Sequence, residues 1–303
     1  GSFTTDASGN ASVTLGWEPQ FAILKNTNGT NYNWVTLDTM RGWVATNSLQ
    51  AALYPNTSGA EAIQDWGSPN ATGFTVRGFY ATQTLIYLAI RRGPMAQPTS
   101  GTQVYNAIAR TGTNVASRVL TGVGFPPDLS IQQPKGSSLN PEFCDRLRGG
   151  SRRLNSDGTA AENTNTSYGV QTFNQDGVTL GSLDGSGGWD MSTDQYRSWF
   201  FRRYPGVFDV VAYTGTGAAH TEAHSLGAVP ELMIVKARNS AGTTNWGVYN
   251  KSIAVTSVLL LNSTIAEATS QSGYFNGTAP TASVFSVGTD SDTNANTTTY
   301  VAY

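Results

Sequence analysis

The chain has 303 residues, of which 13% are charged, and its formal net charge is -2 at pH 7. Globular proteins have about 25% charged residues, and nucleic-acid-binding proteins carry a basic excess that neutralises phosphates, so this balance argues against a nucleic-acid partner. A single cysteine, Cys144, excludes an internal disulfide framework and a multi-cysteine metal site, and no apolar run is long enough for a membrane span.

Short strands are predicted along the whole chain. Apolar segments at residues 21–24, 232–235 and 258–261 lie between Gly, Asn, Thr or Pro residues, which is typical of buried strands. Residues 178–180 and 285–287 alternate between apolar and polar side chains, as half-buried strands do. The many glycines and aromatic residues also favour turns and strands over helices. The sequence therefore predicts an all-β protein.

One pattern recurs three times. It opens with a glycine and a proline before an apolar strand, and it closes with a strand that begins with tyrosine. The openings are at Gly16, Gly124 and Gly227, and the closing strands begin at Tyr87, Tyr196 and Tyr300. Between them, Asp-x-x-Arg-Gly stands at residues 38–42 and 145–149 and is lost in the third copy, and its glycine is predicted to make a turn with positive φ. Landmarks that keep the same spacing indicate a true internal repeat.

The repeat also predicts the domain boundaries. Arg-Arg-x-Pro ends a copy, because proline interrupts strand pairing. We predict three tandem β-sandwiches at residues 1–94 (the divergent copy), 95–204 and 205–303, each close to the ~100 residues of one sandwich. The first copy shows no counterpart of the opening strand at 206–213, and the third stops before an Arg-Arg. We therefore expect that the chain is cut from a longer polypeptide or borrows a strand from a neighbour.

These landmarks resemble the concanavalin-A-like sandwich domain found in tandem in bacteriophage tail-fibre and other virion proteins. The opening Gly-aromatic-x-Pro, the Asp-x-x-Arg-Gly and the closing Arg-Arg-x-Pro carry the resemblance, which is best over residues 123–209. It implies jelly-roll or concanavalin-A-like sandwiches, an extracellular virion location, and self-association into a homotrimer or larger assembly with other virion proteins. It defines no catalytic residues.

Aromatic side chains in Gly- and Asn-rich loops are candidates for stacking on sugar rings. They are Trp43, Trp66, Tyr80, Trp189, Tyr274 and Phe275. Four other tryptophans, Trp17, Trp34, Trp199 and Trp246, are predicted to lie in the core. A glycan on a host surface is the ligand that the loop aromatics would fit.

Two patterns are candidates for metal binding. Asp290, Asp292 and Asn294 place oxygens on alternate residues, as calcium loops do, but the glycine and the acidic residue expected later in such a loop are missing. A polar loop before the closing strand is the alternative. His220 and His224 lack the third ligand of a zinc site and fit the edge of a strand equally well. We predict no cofactor, with calcium as the metal that the pattern allows.

Arginine pairs precede both predicted junctions. Arg91 with Arg92, and Arg202 with Arg203, are predicted to anchor the next repeat through aspartate or backbone carbonyls. Solvated strand ends are the alternative.

The sequence offers no arrangement typical of an enzyme. Glycoside hydrolysis needs two carboxylates about 5–10 Å apart, whereas the glutamates stand singly, and no Gly-x-Ser-x-Gly elbow is present. We predict a non-enzymatic structural or adhesive virion protein, in a tail fibre, an appendage or a capsid decoration, with host-surface glycans as its ligand class. The alternative is a secreted or surface-displayed array of carbohydrate-binding modules without a virion role.

Overall fold

The structure is a computed structural model that describes residues 1–28, 32–45, 49–91, 98–136, 139–164, 167–181, 190, 194–240 and 244–303. The chain is all-β, as predicted, and its sheets are antiparallel. It folds into two compact units, a first unit of Gly1–Met95 and a second unit of Ala96–Tyr303. Within the described part, no helix is long and apolar enough to cross a bilayer.

The first unit has two main sheets and a separate two-stranded sheet around one hydrophobic core. Its described strands are β1 (Ser2–Thr4), β2 (Ala11–Thr14), β3 (Pro19–Asn26), β4 (Val35–Asp38), β5 (Gln50–Ala52), β6 (Ala62–Gln64), β7 (Pro69–Asn70), β8 (Gly73–Val76) and β9 (Thr84–Arg91). A four-stranded sheet has the order β1-β9-β3-β4, a three-stranded sheet has the order β2-β8-β7, and β5 pairs with β6. Leu24 and Leu85 from the larger sheet meet Phe74 from the smaller one in this core, which is a sandwich-like arrangement.

The first residues of the chain form a strand that the sequence analysis missed. Phe3 of β1 pairs with Leu85 of β9 in antiparallel register. The prediction that this part of the chain lacks an opening strand was therefore wrong. Strands were predicted from runs or alternation of apolar side chains. β1 has three residues and one apolar side chain, so it is too short to show either pattern.

The second unit contains two further pairs of sheets. The strands of its first sheet pair are β10 (Tyr105–Thr111), β11 (Val119–Leu120), β12 (Leu129–Pro134), β13 (Glu142–Asp145), β14 (Arg152–Asn155), β15 (Asn163–Thr164), β16 (Val170–Asn174), β17 (Gly177–Leu180) and β18 (Gln195–Phe201). They form a six-stranded sheet, β10-β18-β12-β13-β14-β15, and a three-stranded sheet, β11-β17-β16. Cys144 and Phe200 of the larger sheet pack with Val178 and Leu180 of the smaller one.

The second sheet pair of this unit is formed by the last third of the sequence. Its elements are β19 (Val211–Thr214), β20 (His220–Ala223), β21 (Leu232–Ala237), β22 (Gly247–Asn250), β23 (Leu259–Leu260), α1 (Ser272–Phe275), β24 (Val284–Val287), α2 (Ser291–Asn294) and β25 (Thr299–Ala302). The sheet orders are β19-β25-β21-β22-β23 and β20-β24. Tyr213 stacks on Tyr300 at 5.1 Å between ring centroids and contacts Phe285 of the smaller sheet at 5.9 Å. Two 3-10 turns, Thr39–Arg41 and Gly101–Gln103, are the remaining described helical elements.

The main sheets of these three stretches share one strand order. In each sheet the first strand of the stretch lies beside the closing strand. The closing strand also pairs with the strand at the Gly-x-x-Pro segment, and that strand pairs with the next one along the chain. These runs are β1-β9-β3-β4, β10-β18-β12-β13 and β19-β25-β21-β22.

The Asp-x-x-Arg-Gly segments form the same turn in both places. The carboxylate of Asp145 accepts a hydrogen bond from the backbone N–H of Arg148 (2.8 Å) and pairs with its guanidinium, and Asp38 holds Arg41 in the same way (backbone bond 2.9 Å). The glycine that follows has φ of 101° at Gly149 and 97° at Gly42, which confirms the predicted positive φ.

Within the second unit, the two sheet pairs contact each other through aromatic rings. Phe143 on β13 faces away from the core of its own sheet pair, since its neighbour Cys144 lies in that core. Its ring lies 5.1 Å from Trp246 and 5.7 Å from Tyr303, which belong to the second sheet pair. The indole N–H of Trp246 donates to the carbonyl of Asn155 at 3.0 Å.

A buried ionic network lies beside these rings. Glu162 accepts from Arg148 at 2.8 Å and from Arg238 at 3.0 Å, and the hydroxyl of Tyr303 donates to Asp145 at 2.8 Å. The side chains of Arg148 and Asp145 are 0% exposed. Because each charge has opposite charges or hydrogen-bond partners within reach, the cost of removing these groups from water is offset.

Candidate ligand-binding pocket

The first unit contains a cavity of about 390 Å³, within the ~300–1,000 Å³ typical of small-molecule sites. Its lining consists of aromatic rings, side-chain amides and aliphatic groups. The lining residues are Leu24, Asn26, Tyr32, Asn33, Val35, Tyr54, Gln64, Trp66, Gly78, Phe79 and Tyr80. Aromatic and aliphatic walls with a few polar groups are the usual composition of a binding pocket.

The strands of the first unit bring these residues together. Asn26 ends β3 and Gln64 ends β6. Gly78 has φ of 67° and follows β8, so the chain turns there and carries Tyr80 toward the cavity. The hydroxyl of Thr5 donates to the carbonyl of Tyr80 at 2.6 Å, which holds this segment in place.

Two tyrosines form one wall of the pocket. The ring centroids of Tyr32 and Tyr80 are 4.4 Å apart, with their planes tilted by 47°. Tyr80 is 61% exposed, so a ring face is accessible from solvent. The ammonium group of Lys25 donates to the carbonyl of Tyr32 and fixes the backbone that carries this ring.

Trp66 is the most buried aromatic residue of the described lining. It is 6% exposed and contacts Phe79 at 5.3 Å and Tyr54 at 6.2 Å, both edge to face. Its indole N–H has no hydrogen-bond acceptor among the described residues, whereas the indole N–H of Trp43 donates to the carbonyl of Gly67 at 3.2 Å. A buried donor without a partner costs about 1–3 kcal/mol, which an acceptor on a bound ligand would offset.

Side-chain amides supply further polar groups. Asn33 is exposed, and its oxygen accepts from the amide of Asn56 at 2.9 Å. Asn26 donates its amide N–H to the side-chain oxygen of Gln83 at 3.3 Å. These bonds orient the two asparagines, and an amide carries both donors and acceptors that suit ligand hydroxyl groups.

The predicted sugar-binding aromatics that the structure describes divide into two groups. Trp66 and Tyr80 line the pocket. Trp43, Tyr274 and Phe275 are 0%, 8% and 1% exposed, so the prediction that they stack on a sugar was wrong, because their rings are enclosed by protein. Trp189 lies outside the described residues.

Each of the three buried rings has a structural role. Trp43 packs edge to face on Phe74 at 5.7 Å in the core of the first unit. Tyr274 donates its hydroxyl to Asp292 at 2.6 Å, and Phe275 contacts Tyr249 at 5.9 Å. Burial, together with the carboxylate of Asp292, raises the pKa of Tyr274 above its ordinary range.

Several pocket residues were missed by the sequence analysis. Tyr32, Asn33, Tyr54, Gln64 and Phe79 were not among its candidates, although all line the cavity. The polar and aromatic segment around Tyr32 was the available signal. Its association with Trp66 depends on the pairing of distant strands, which local patterns do not specify.

The predicted calcium ligands are engaged by the protein. Asp290 caps α2, accepting from the backbone N–H of Asp292 at 2.8 Å. Asp292 accepts from the backbone N–H of Asn245 at 2.8 Å, and the oxygen of Asn294 accepts from the backbone N–H of Thr216 at 2.8 Å. The prediction of a calcium loop at these residues was wrong, because their side-chain oxygens accept hydrogen bonds from three different backbone N–H groups.

The two histidines are also paired within the protein. The Nε2 atom of His220 lies 2.9 Å from Oε1 of Glu222, and Nε2 of His224 lies 3.2 Å from the carbonyl of Thr281. Among the residues with a described position, no three of the types His, Cys, Asp and Glu are grouped closely enough to hold a metal ion.

We expect excess calcium to leave the melting temperature of the protein unchanged. The carboxylate of Asp292 already accepts from Asn245 and Tyr274, so binding a metal would break bonds that stabilise the fold. Scanning calorimetry with calcium and with a chelator measures this. A calcium-dependent rise that disappears in Asp292→Asn would contradict the assignment.

One of the predicted arginine anchors joins the two sheet pairs of the second unit. The guanidinium of Arg203 pairs with Asp209 at 2.5 Å, its backbone N–H donates to Asp128 at 2.7 Å, and Asp209 accepts from the backbone N–H of Ser225 at 2.6 Å. Asp128 and Asp209 lie on opposite sides of the predicted boundary at 204, so Arg203 bridges it.

The other three arginines are placed differently. The backbone N–H of Arg202 donates to the carbonyl of Val104 at 2.8 Å. Arg91 is the last residue of β9 and is exposed, and Arg92 lies outside the described residues.

Comparison with known proteins gives a match to a protein family. Residues 100–303 match a family described as a domain of unknown function, DUF7483, and this range lies within the second unit. No curated protein and no solved structure matches the chain. Because the family match covers more than half of its residues, the protein belongs to the DUF7483 family.

Proposed function

We propose that the protein is a non-enzymatic structural and adhesive component of a bacteriophage virion, in a tail fibre, an appendage or a capsid decoration. In this proposal the chain is a tandem array of three related concanavalin-A-like sandwiches at residues 1–94, 95–204 and 205–303. The strand order shared by the three main sheets supports the array. The resemblance of the sequence landmarks to virion proteins supports the location.

The observation that carries the proposal is the junction inside the second unit. Phe143 packs on Trp246 and Tyr303, and Arg148 and Glu162 are buried beside them. Sheet pairs joined by a flexible linker would leave such groups in solvent. Packed aromatic rings and buried ion pairs at this junction hold the two sheet pairs in one orientation. A fibre or shell protein requires such a fixed orientation.

The first unit offers a surface for self-association. Ile86, Leu88 and Ile90 alternate along β9 on the side away from the core, and they are 43%, 58% and 51% exposed. Leu88 pairs across the sheet with Ile23, which extends the apolar strip. In the second unit an outward-facing ring on a different strand, Phe143 of β13, is covered by Trp246 and Tyr303. We assign the strip of β9 to contact with the same strip on other copies of this chain, around the axis of a homotrimer.

We expect Leu88→Lys to dissociate the assembly, with at least a tenfold rise in the dissociation constant. A charge buried in a self-associating apolar strip has no partner and is repelled by its copies. Light scattering at several concentrations measures the mass, which should fall from a multiple of 32.1 kDa to 32.1 kDa. Val119→Lys is the matched control, because Val119 is 53% exposed and lies in the second unit.

Two results would overturn this assignment. One is a wild-type chain that stays at 32.1 kDa at every concentration. The other is an assembly whose mass is unchanged in Leu88→Lys or is lost equally in Val119→Lys.

A second function is favoured by the pocket of the first unit. A secreted or surface-displayed array of carbohydrate-binding modules would use the rings of Tyr32 and Tyr80 without any virion role. Glycan binding by a strictly monomeric protein would favour this alternative over the fibre.

A further inference from the structure

We infer that the pocket of the first unit binds an uncharged carbohydrate, with a sugar ring lying against Tyr80 and a ligand oxygen accepting from the indole N–H of Trp66. The inference rests on the adhesive part of the proposed function and names its ligand class. It concerns residues 1–95 alone and does not depend on the junction in the second unit.

The tyrosine wall provides the apolar contact. Tyr32 and Tyr80 have ring centroids 4.4 Å apart, and Tyr80 is 61% exposed. An aromatic side chain has two faces that pack against C–H groups and a hydroxyl that remains in water. Pyranose rings present a face of C–H groups and an edge of hydroxyls, so they match a wall of this kind.

The indole of Trp66 provides a second, independent observation. Its side chain is more than nine-tenths buried, it lines the cavity, and its N–H has no acceptor among the described residues. Buried donors in folded proteins are almost always satisfied. A ligand oxygen that accepts from this N–H meets this requirement, and both hydroxyl and acetamido oxygens of sugars are acceptors.

The polar part of the lining favours an uncharged ligand. Asn26, Asn33 and Gln64 are amides, which donate to and accept from hydroxyl groups without a net charge. Sites for sialic or uronic acids depend on charge-assisted bonds to a carboxylate, and the described lining is made of amides, rings and aliphatic groups instead. The pocket is therefore matched to neutral hexoses, deoxyhexoses and N-acetylhexosamines.

The test is a binding screen with the full chain. The probes are immobilised neutral oligosaccharides of hexose, deoxyhexose and N-acetylhexosamine, with sialylated and uronic-acid oligosaccharides on the same surface. Titration calorimetry of the best neutral ligand then gives the dissociation constant. We expect binding to neutral sugars that is unchanged by high salt, because no ion pair contributes to it.

Three variants locate the site. Tyr80→Ala removes the exposed ring and is expected to weaken binding about tenfold or more. Trp66→Phe keeps an aromatic ring in the core but removes the indole N–H, and we expect a loss of about fivefold to tenfold. Tyr105→Ala is the matched control, since Tyr105 is a 41% exposed tyrosine of the second unit. Circular dichroism establishes that each variant is folded.

The outcomes separate this inference from the proposed function. Neutral-sugar binding that weakens in Tyr80→Ala and Trp66→Phe but not in Tyr105→Ala supports it. Binding to none of the neutral sugars, binding only to acidic ones, or binding unaffected by both pocket variants would overturn it. If the protein assembles but binds no neutral sugar, sugar binding by the pocket is refuted and the structural role stands. If it binds neutral sugars as a monomer, the structural role is refuted and sugar binding by the pocket stands.

Discussion

Replacement of Arg148 by methionine is expected to destabilise the second unit by about 3–5 kcal/mol, the usual cost of removing one partner from a buried ion pair. Arg148 is fully buried and pairs with Asp145 and with Glu162, at 2.8 Å from the latter. It also donates to the hydroxyl of Tyr303 at 2.8 Å. Methionine fills much of the same volume without a charge, so the loss comes from buried carboxylates that are left with too few partners.

Urea denaturation, monitored by tryptophan fluorescence, measures the free energy of unfolding of wild type and Arg148→Met. Lys251→Met is the control, because Lys251 and its partner Glu231 are 54% and 69% exposed. Such surface pairs contribute at most about 1 kcal/mol. A loss below 1 kcal/mol in Arg148→Met, or a loss equal to that in Lys251→Met, would show that the network does not hold the two sheet pairs together.

The turn around Arg148 shows what the sequence could predict and where prediction ended. The residue pattern predicted a turn with positive φ at Gly149, and φ there is 101°, because the need for glycine is set by local sterics. Burial of the neighbouring ion pair was not predictable. The same pattern at Asp38 and Arg41 leaves those side chains 20% and 24% exposed, and the difference arises from Tyr303, which reaches the turn from the far end of the chain.

The tryptophans show the same limit. Trp34 was predicted to lie in the core and is 37% exposed, whereas Trp43 was predicted to be exposed and is 0% exposed. Each directly follows a residue that is common in turns, Asn33 and Gly42 respectively. Their burial is decided by which sheet lies opposite: Trp43 packs on Phe74 of the smaller sheet, and composition does not specify that pairing.

Short helices were missed for a related reason. The segment around Asp290 was predicted as a loop and contains α2, whose N-terminus is capped by Asp290. A single turn is too short for a helical pattern of apolar residues. It forms because Asp292 and Asn294 bond to distant parts of the same sheet pair, so tertiary contacts rather than propensity stabilise it.

Acid is expected to weaken the second unit as the pH falls from about 4.5 toward 2, through protonation of Glu162. Burial raises the pKa of this carboxyl, but Arg148 and Arg238 outweigh burial and lower it to about 2, from an ordinary value of 4.5. A carboxyl with a lowered pKa contributes its full stabilisation above the unfolded pKa and loses it as the pH falls to the folded one. The difference of about 2.5 pH units corresponds to about 3 kcal/mol.

Comparison of wild type with Glu162→Gln isolates this contribution, because other carboxylates titrate in both proteins. We expect the stability difference to be about 3 kcal/mol at pH 7 and to shrink toward zero near pH 2, measured by urea denaturation at a series of pH values. Glu231→Gln is the control and should give a small difference at every pH, since Glu231 is 69% exposed. A stability difference that stays constant with pH would mean that the charge of Glu162 adds nothing. Arg148 and Arg238 would then need only an acceptor of the right shape. A network of that kind would orient the two sheet pairs through hydrogen-bond geometry alone, and their junction would then survive acid.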